Sequence, residues 1–272
     1  MLDQEVRTEL RSLAKDTADL VARHLVMTGR LLDDAPERAL AHARAARAMA
    51  ARVGAVREAA GLAAYAVGEW AEALSELRAA RRITGQPGHL AVLADCERAL
   101  GRPDRALRYQ DDPDVQRLAQ AERVELVIVL SGARRDMDQA EAGALLLQEP
   151  ARRTSATRPW AARLWYAYAD ALLDAGREQD ARSWFEQAAT ADEDGTTDAA
   201  ERVLALDGVV FDDRDDDGPQ AWVVHDAATA AAGLEAALER ASAREPAPPM
   251  LPDDAAAVSS TELPELPDEP RS

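Results

Sequence analysis

Residues 165–188 read WYAYADALLDAGREQDARSWFEQA and predict two helices joined by a tight turn. Before the turn, apolar residues recur at the spacing of one helical face, at Trp165, Tyr168, Ala169 and Leu172. Gly176 suits the turn because glycine adopts a left-handed backbone at no steric cost. A second apolar face follows, at Ala181, Trp184, Phe185 and Ala188. The segment therefore predicts a helical hairpin whose helices cross at the small residues Ala169 and Ala181.

The same pattern recurs along the chain at intervals of 34, 33, 34 and 41 residues, at Ala39, Ala73, Ala106, Ala140 and Ala181. A small or polar residue precedes each alanine by five positions, at Asp34, Gly68, Gly101, Arg135 and Gly176. Such a period is typical of stacked helix-turn-helix units, which bury their apolar faces only against one another. An alanine-rich bundle could match one such ladder by chance, but the scarcer glycine and aromatic residues also fall in phase. We therefore predict a helical solenoid.

The hairpin at residues 165–188 resembles the tetratricopeptide repeat (TPR). It matches that pattern at seven positions: Trp165, Tyr168, Ala169, Gly176, Ala181, Phe185 and Ala188. The second unit matches at Ala60, Gly61, Gly68, Trp70, Ala73, Leu77 and Ala80. The third matches at Leu90, Leu93, Ala94, Gly101, Ala106 and Leu107, but QDDPD after Tyr109 predicts a short second helix.

Two further units are weaker matches. The fourth, residues 124–147, carries Arg135 at the expected turn glycine. The first, residues 20–46, has Pro36 opening its second helix and its apolar residues in phase at Val26, Met27, Ala39, Ala43 and Ala46. The resemblance thus covers residues 20–191 and implies an all-α fold, a right-handed α-α superhelix of about five TPR-like hairpins.

Capping helices are expected at both ends of the repeats. Residues 1–19 predict a short N-terminal helix with Val6, Leu10 and Leu13 on one side, although a single helix over residues 3–32 stays open. Residues 192–207 predict a C-terminal capping helix, with Asp198 and Glu201 at capping-box spacing. Residues 208–272 are acidic and rich in proline, so we expect a mostly disordered tail with a possible helix at 223–244.

The net charge of −18 is concentrated at the C-terminal end. Residues 1–110 carry 17 basic and 15 acidic side chains, whereas residues 192–272 carry 5 and 21. The repeats therefore offer no basic patch for nucleic acid. We also find no apolar run long enough for a membrane, no secretory leader and a single cysteine, Cys96, in a helical pattern. The expectation is a cytoplasmic protein in which Cys96 is a buried thiol.

No motif predicts catalysis, a cofactor or a metal. Asp213, Asp215, Asp217 and Gly218 match half of a calcium loop, but Val224 stands where that loop needs glutamate, so an acidic linker is favoured. None of the four histidines (His24, His42, His89 and His225) has the spacing of a zinc ligand. Lys15 is the only lysine and follows no glycine-rich loop. We therefore expect a protein that is not an enzyme; one with an unrecognised site is the less favoured alternative.

The TPR resemblance implies that the first helix of each hairpin lines a concave groove. The residues expected to face it are His24, Glu58, Asp95, Arg98, Glu122, Glu125, Arg163, Tyr166, Asp170 and Asp174. The lysine and asparagine set with which some TPR domains clamp a terminal carboxylate is missing. The sequence favours a scaffold or adaptor that binds a protein or peptide, with some basic character, without direct contact to nucleic acid or membrane.

Two alternatives stay open. The protein could be a regulator whose acidic tail or C-terminal helix controls access to the groove, or a sensor of a small ligand. Of its 32 basic residues 31 are arginine, a bias typical of GC-rich genomes that suggests an actinobacterial source.

Overall fold

A computed structural model of the chain describes residues 2–210 and 223–224. These residues form twelve α-helices: α1 (Gln4–Leu10), α2 (Lys15–Leu31), α3 (Pro36–Ala50), α4 (Gly54–Ala66), α5 (Trp70–Thr84), α6 (Leu90–Ala99), α7 (Pro103–Leu107), α8 (Gln120–Arg135), α9 (Ala140–Arg153), α10 (Ala161–Asp174), α11 (Glu178–Ala191) and α12 (Ala199–Leu206). Two 3-10 helices follow α7, at Arg108–Asp111 and Pro113–Arg117. Two-residue strands β1 (Val209–Val210) and β2 (Val223–Val224) pair with each other.

The helices pack in chain order as five hairpins, α2–α3, α4–α5, α6–α7, α8–α9 and α10–α11. Buried side chains form three successive clusters along the chain instead of one shared core. Adjacent hairpins are also joined by polar contacts: the Trp165 indole N–H donates to the Ala151 carbonyl at 3.0 Å, which ties α10 to α9. The predicted all-α superhelix of about five hairpins is confirmed.

A residue with a left-handed backbone marks the turn of four hairpins. Gly68, Gly101 and Gly176 have φ of 80°, 70° and 75°, and each lies two residues before the second helix. In the fourth hairpin Asp138, with φ of 59°, takes this place. The assignment of Arg135 to the turn was therefore wrong, because Arg135 is the last residue of α8. Aspartate is one of the few residues that tolerate this conformation, so the glycine signal is missing.

The small residue at the fourth crossing is consequently Gly143 and not Ala140. Ala140 is the first residue of α9 and only partly buried. A Cβ at Gly143 would lie 3.0 Å from the Ser131 backbone oxygen, and the Ser131 hydroxyl donates to the Gly143 carbonyl at 2.9 Å. Ala39, Ala73, Ala106 and Ala181, the equivalent residues of the other hairpins, are fully buried.

The third hairpin has the short second helix that its sequence predicted. α7 has only five residues. Arg81, which belongs to the second hairpin, binds the segment of 3-10 helices that follows α7. The Arg81 guanidinium donates to Asp112 at 2.6 and 2.8 Å and to Asp114 at 2.5 and 3.1 Å. These bonds lower the pKa of both carboxyls. Ion pairs thus replace part of the missing helix packing.

At the N-terminal end, α1 and α2 are separate helices, so a single helix over residues 3–32 is wrong. α2 begins at Lys15, within the segment predicted as the cap, and Ala14 occupies its N-cap position. Its buried residues are Val21, Leu25 and Thr28, whereas Val26 and Met27, predicted in phase, are only partly buried. The buried face of α2 therefore lies about one residue away from the predicted one.

At the C-terminal end, α12 covers the last hairpin. Ala199 is buried, and Val203 and Leu206 pack against the C-terminal cluster. The predicted capping box does not form, because the Asp198 side chain makes no capping bond and its backbone, at φ −90° and ψ 28°, is not extended. Of the predicted helix at 223–244, residues 223–224 are strand β2, and the remainder lies outside the described residues.

Cys96 is fully buried on α6, as its helical pattern predicts. Burial raises the pKa of its thiol to about 12. We expect the folded protein to react slowly with Ellman's reagent at mildly alkaline pH, because the reactive thiolate is scarce and covered. Absorbance of the released thiolate should rise at once when the protein is unfolded. Equal rates for folded and unfolded protein would contradict this burial.

Candidate functional site: the groove along the first helices

Helices α6, α8 and α10 and the segment before α12 enclose a cavity of about 420 Å³, which we call the groove pocket. All three are first helices of their hairpins. Its polar wall includes Arg98, Arg135, Arg163, Tyr166, Asp170 and Asp198, and its apolar floor includes Ile128 and Ala167. The groove pocket is therefore a lined depression on the first-helix face of the last three hairpins.

Arg98 lies flat against the backbone of α8 at Gly132. A Cβ at Gly132 would come within 2.5 Å of the Arg98 Cζ, so glycine leaves room for the guanidinium. Arg98 donates to Asp136 at 2.7 and 3.1 Å and to Asp95 at 3.1 Å. Asp95 also accepts a bond from the Tyr65 hydroxyl at 2.7 Å. One arginine thus links α6 to α8, and its partner Asp95 extends the link back to α4.

A second set of ion pairs joins α8, α10 and α12. Arg135 donates to Asp170 at 2.6 Å and to Asp174 at 2.5 Å. Arg202, from α12, donates to the other Asp170 oxygen at 2.9 Å. A further pair has its arginine on α10 instead of α8: Arg163 donates to Glu125 of α8 at 2.9 Å. The first helices α6, α8 and α10 are thereby bonded to one another in chain order.

These ion pairs contribute more to the shape and charge of the groove than to the folding stability of the protein. Pairs with partly exposed members each contribute only about 0.2–1 kcal/mol. The groups comprise four guanidinia (Arg98, Arg135, Arg163 and Arg202) and six carboxylates (Asp95, Glu125, Asp136, Asp170, Asp174 and Asp198). The lining itself has three arginines and two aspartates, and carboxylates are in excess once the ion-pair partners of these residues are counted.

Tyr166 forms the side of the groove pocket nearest α12. Its ring meets Phe185 edge-on, with centroids 5.3 Å apart, while Arg202 lies 5.2 Å from the Phe185 centroid. Burial and the Asp198 carboxylate raise the pKa of Tyr166 to about 12. Its hydroxyl therefore stays protonated at neutral pH.

Asp192 holds the segment that closes the pocket before α12. Its two oxygens accept bonds from the backbone N–H and hydroxyl groups of Thr196, both at 2.8 Å, and of Thr197, both at 2.6 Å. These bonds lower the pKa of Asp192. The wall that Thr196, Thr197 and Asp198 contribute is thus fixed by a local turn.

Seven of the ten residues predicted to face the groove belong to this arrangement. Four line the groove pocket: Arg98, Arg163, Tyr166 and Asp170. Three do not line the pocket but accept hydrogen bonds from its arginines: Asp95, Glu125 and Asp174.

The other three predicted residues bond elsewhere. The His24 Nδ1 lies 3.0 Å from the His42 Nδ1 on α3, within its own hairpin. The Glu58 Oε1 lies 2.7 Å from the His89 Nε2, at the start of α6. Glu122 accepts a bond from the Ala119 N–H at 2.7 Å and so caps its own helix.

Sequence reasoning missed Gly132, Arg135 and Asp136, and also the turn at Thr196–Asp198. The ion pairs could have been predicted from one feature of the sequence: residues of opposite charge lie about one repeat length apart. The bonded residues are 38 apart for Arg98 and Asp136, 39 for Arg135 and Asp174, and 38 for Glu125 and Arg163.

Among the residues that the structure describes, no group of three or more His, Cys, Asp or Glu side chains is arranged to hold a metal ion. The calcium-like acids Asp213, Asp215 and Asp217 lie outside that part of the chain. None of the described helices combines the length and hydropathy needed to cross a membrane.

Comparison with known proteins supports the fold. No family model matches the sequence, and no curated protein is significantly similar to it. A solved structure of PilF from Pseudomonas aeruginosa, a TPR-containing protein, superposes with a TM-score of 0.52 at 14% sequence identity, covering 71% of this chain and 91% of PilF. At that identity the likeness concerns the fold alone, and it supports the TPR assignment.

Proposed function

We propose that this TPR-like stack is a non-enzymatic scaffold that binds a protein or peptide partner in the groove pocket. The observation that carries the proposal is a preformed cavity on the first-helix face, whose lining groups and their ion-pair partners include more carboxylates than guanidinia. A partner segment with basic or mixed character complements that charge. We further propose a cytoplasmic setting, from the single reduced cysteine, and an actinobacterial source, from the arginine bias.

The ion pairs favour binding because they order the groove before a partner arrives. Side chains that are already fixed lose less conformational entropy on association, a cost of about 0.5–1.5 kcal/mol for each long side chain immobilised. Arg98 and Arg135 are each held by two carboxylates. A protein or peptide that binds the groove would therefore meet side chains that are already ordered.

The groove pocket is large enough for side chains of a peptide and too small for a folded domain. Ile128 and Ala167 offer an apolar floor, while Asp170 and Asp198 are acceptors at its edge. A lysine or arginine of a peptide could rest its apolar stem on that floor and place its charge at the carboxylates. An extended or helical segment along the first helices fits this mode of recognition.

Filling the pocket should abolish capture of the partner. Ala167→Arg places a long side chain on the floor, where Ala167 is partly exposed. Leu145→Arg introduces the same residue on α9, where Leu145 is 69% exposed. We expect proteins captured from an extract of the source cells by the unmodified chain and by Leu145→Arg to be lost with Ala167→Arg.

Quantitative mass spectrometry of the three captures, with circular dichroism to verify folding, provides the measurement. An unchanged set of captured proteins with folded Ala167→Arg would contradict binding in the groove pocket. A chain ending at Asp207 distinguishes the regulatory alternative. Stronger capture by that chain would favour control by the acidic end, and unchanged capture would favour a simple scaffold.

A further inference from the structure

A second, larger cavity lies at the other end of the repeats. Helices α1 and α2 border an open groove of about 1050 Å³, which we call the N-terminal groove. Its floor is apolar and partly exposed, formed by Leu2, Leu13, Ala18, Ala22, Val26 and Met27. This surface lies outside the groove pocket and shares no residue with it.

On its outer side α2 is covered less than the later first helices are. α4 packs between α3 and α5, and α10 packs between α9 and α11. Among the described helices, α2 packs with its own partner α3, with the following α4 and, on its outer side, with α1. At 1.5 Å per residue, α1 is about 10 Å long and α2 about 26 Å, so the described helices leave more than half of that side uncovered.

Basic side chains surround this apolar floor. Arg7, Arg11, Lys15 and Arg23 line the N-terminal groove, against one acidic residue, Asp19. Within the described part of the chain, none of these four cations has a carboxylate within ion-pair distance. The arginines of the groove pocket, by contrast, are neutralised by neighbouring carboxylates. The N-terminal groove thus differs from the groove pocket in that its lining cations have no ion-pair partner among the described residues.

We propose that the N-terminal groove binds an acidic amphipathic helix of another protein. The apolar stripe of that helix packs on Ala18, Ala22 and Val26. Its carboxylates face Arg11, Lys15 and Arg23, which steer association and fix orientation. A helix fits because the apolar floor runs along α2, and its exposed side chains are acidic because the rim is basic.

A library of helical peptides tests the proposal. The peptides keep leucine at one helical face and carry glutamate, lysine or glutamine at every other position. Selection uses the full chain with Ala167→Arg, in which the groove pocket is filled, so that basic peptides bound there do not contribute. It should enrich glutamate beside the leucine stripe, and fluorescence anisotropy then measures the affinity of the selected peptides. Enrichment of lysine or glutamine, or no enrichment at all, would overturn the proposal.

Charge variants locate the binding. Reversing the exposed pair Arg11→Glu and Arg23→Glu should weaken binding of the selected peptide by about 10-fold or more, as expected when two complementary charges become repulsive. The pair Arg11→Lys and Arg23→Lys should retain it. A matched reversal elsewhere, Arg105→Glu with Arg108→Glu, changes the net charge equally and should leave affinity unaltered.

Two results would contradict the assignment. Equal weakening by both reversals would mean that only net charge matters. Self-association in light scattering that disappears with the Arg11→Glu and Arg23→Glu pair would assign the surface to a second copy of this chain. Neither result would bear on the groove pocket, since the Ala167→Arg test is independent of this one.

Discussion

Replacing Phe185 with alanine is expected to lower the free energy of unfolding by about 3–5 kcal/mol, the range for removing a buried phenylalanine. Phe185 is fully buried between α10 and α11. Its ring contacts the edge of Tyr166 and lies under the Arg202 guanidinium. The substitution removes all of these contacts and leaves a cavity that the surrounding helices cannot fill. Urea denaturation followed by circular dichroism measures the change.

Leu145→Ala is the matched control for this substitution. It also removes a large apolar side chain, but Leu145 is 69% exposed, and the expected change is within about 0.5 kcal/mol. Similar losses for the two variants would contradict the burial of Phe185. A loss at Phe185 alone would agree with its place as the largest fully buried side chain of the last hairpin.

Gly143→Val is the second substitution with a large expected effect, a loss of about 1–3 kcal/mol. Any side chain at Gly143 meets the Ser131 backbone oxygen at 3.0 Å, so α9 must move away from α8. That movement also strains the hydrogen bond from the Ser131 hydroxyl to the Gly143 carbonyl. Thermal unfolding of the variant should show a lower midpoint.

Gly29→Val provides the comparison at a site with space. Gly29 is within α2, and a Cβ there meets no atom within 4 Å. Valine has a higher helix propensity than glycine, so we expect a neutral or slightly stabilising change. If Gly143→Val were equally harmless, the close crossing of α8 and α9 would be wrong.

The sequence predicted the last hairpin well because each structural role was filled by a residue with distinctive chemistry. Gly176 marks the turn, Phe185 fills the core and Trp165 bonds the preceding hairpin. In the fourth hairpin the same roles fall to Asp138 and Gly143. An aspartate in a left-handed turn looks like any surface aspartate, so the register was misplaced by three residues.

The error in α2 comes from the turn of the first hairpin, which is one residue shorter. The crossing residues Thr28 and Ala39 are 11 apart, against 12 for Ser131 and Gly143. The phase carried over from later hairpins therefore selected Val26 and Met27 in place of Leu25 and Thr28.

The groove pocket could be predicted only in part. Positions on the first helices follow from the repeat, and four of the predicted residues, Arg98, Arg163, Tyr166 and Asp170, line the pocket. The pairing of these side chains depends on distances between hairpins, which a pattern within one repeat does not contain. Thr196 and Thr197 come from the segment before the capping helix, outside the repeats, and carried no signal.

Hydrogen exchange of the Phe185→Ala variant tests the stacked arrangement most directly. In a linear stack each hairpin contacts only its neighbours, so the loss of stability should remain local. We predict faster amide exchange in α10, α11 and α12, with little change in α2–α5. A uniform acceleration over α2–α12 would contradict the stack and indicate a single shared core.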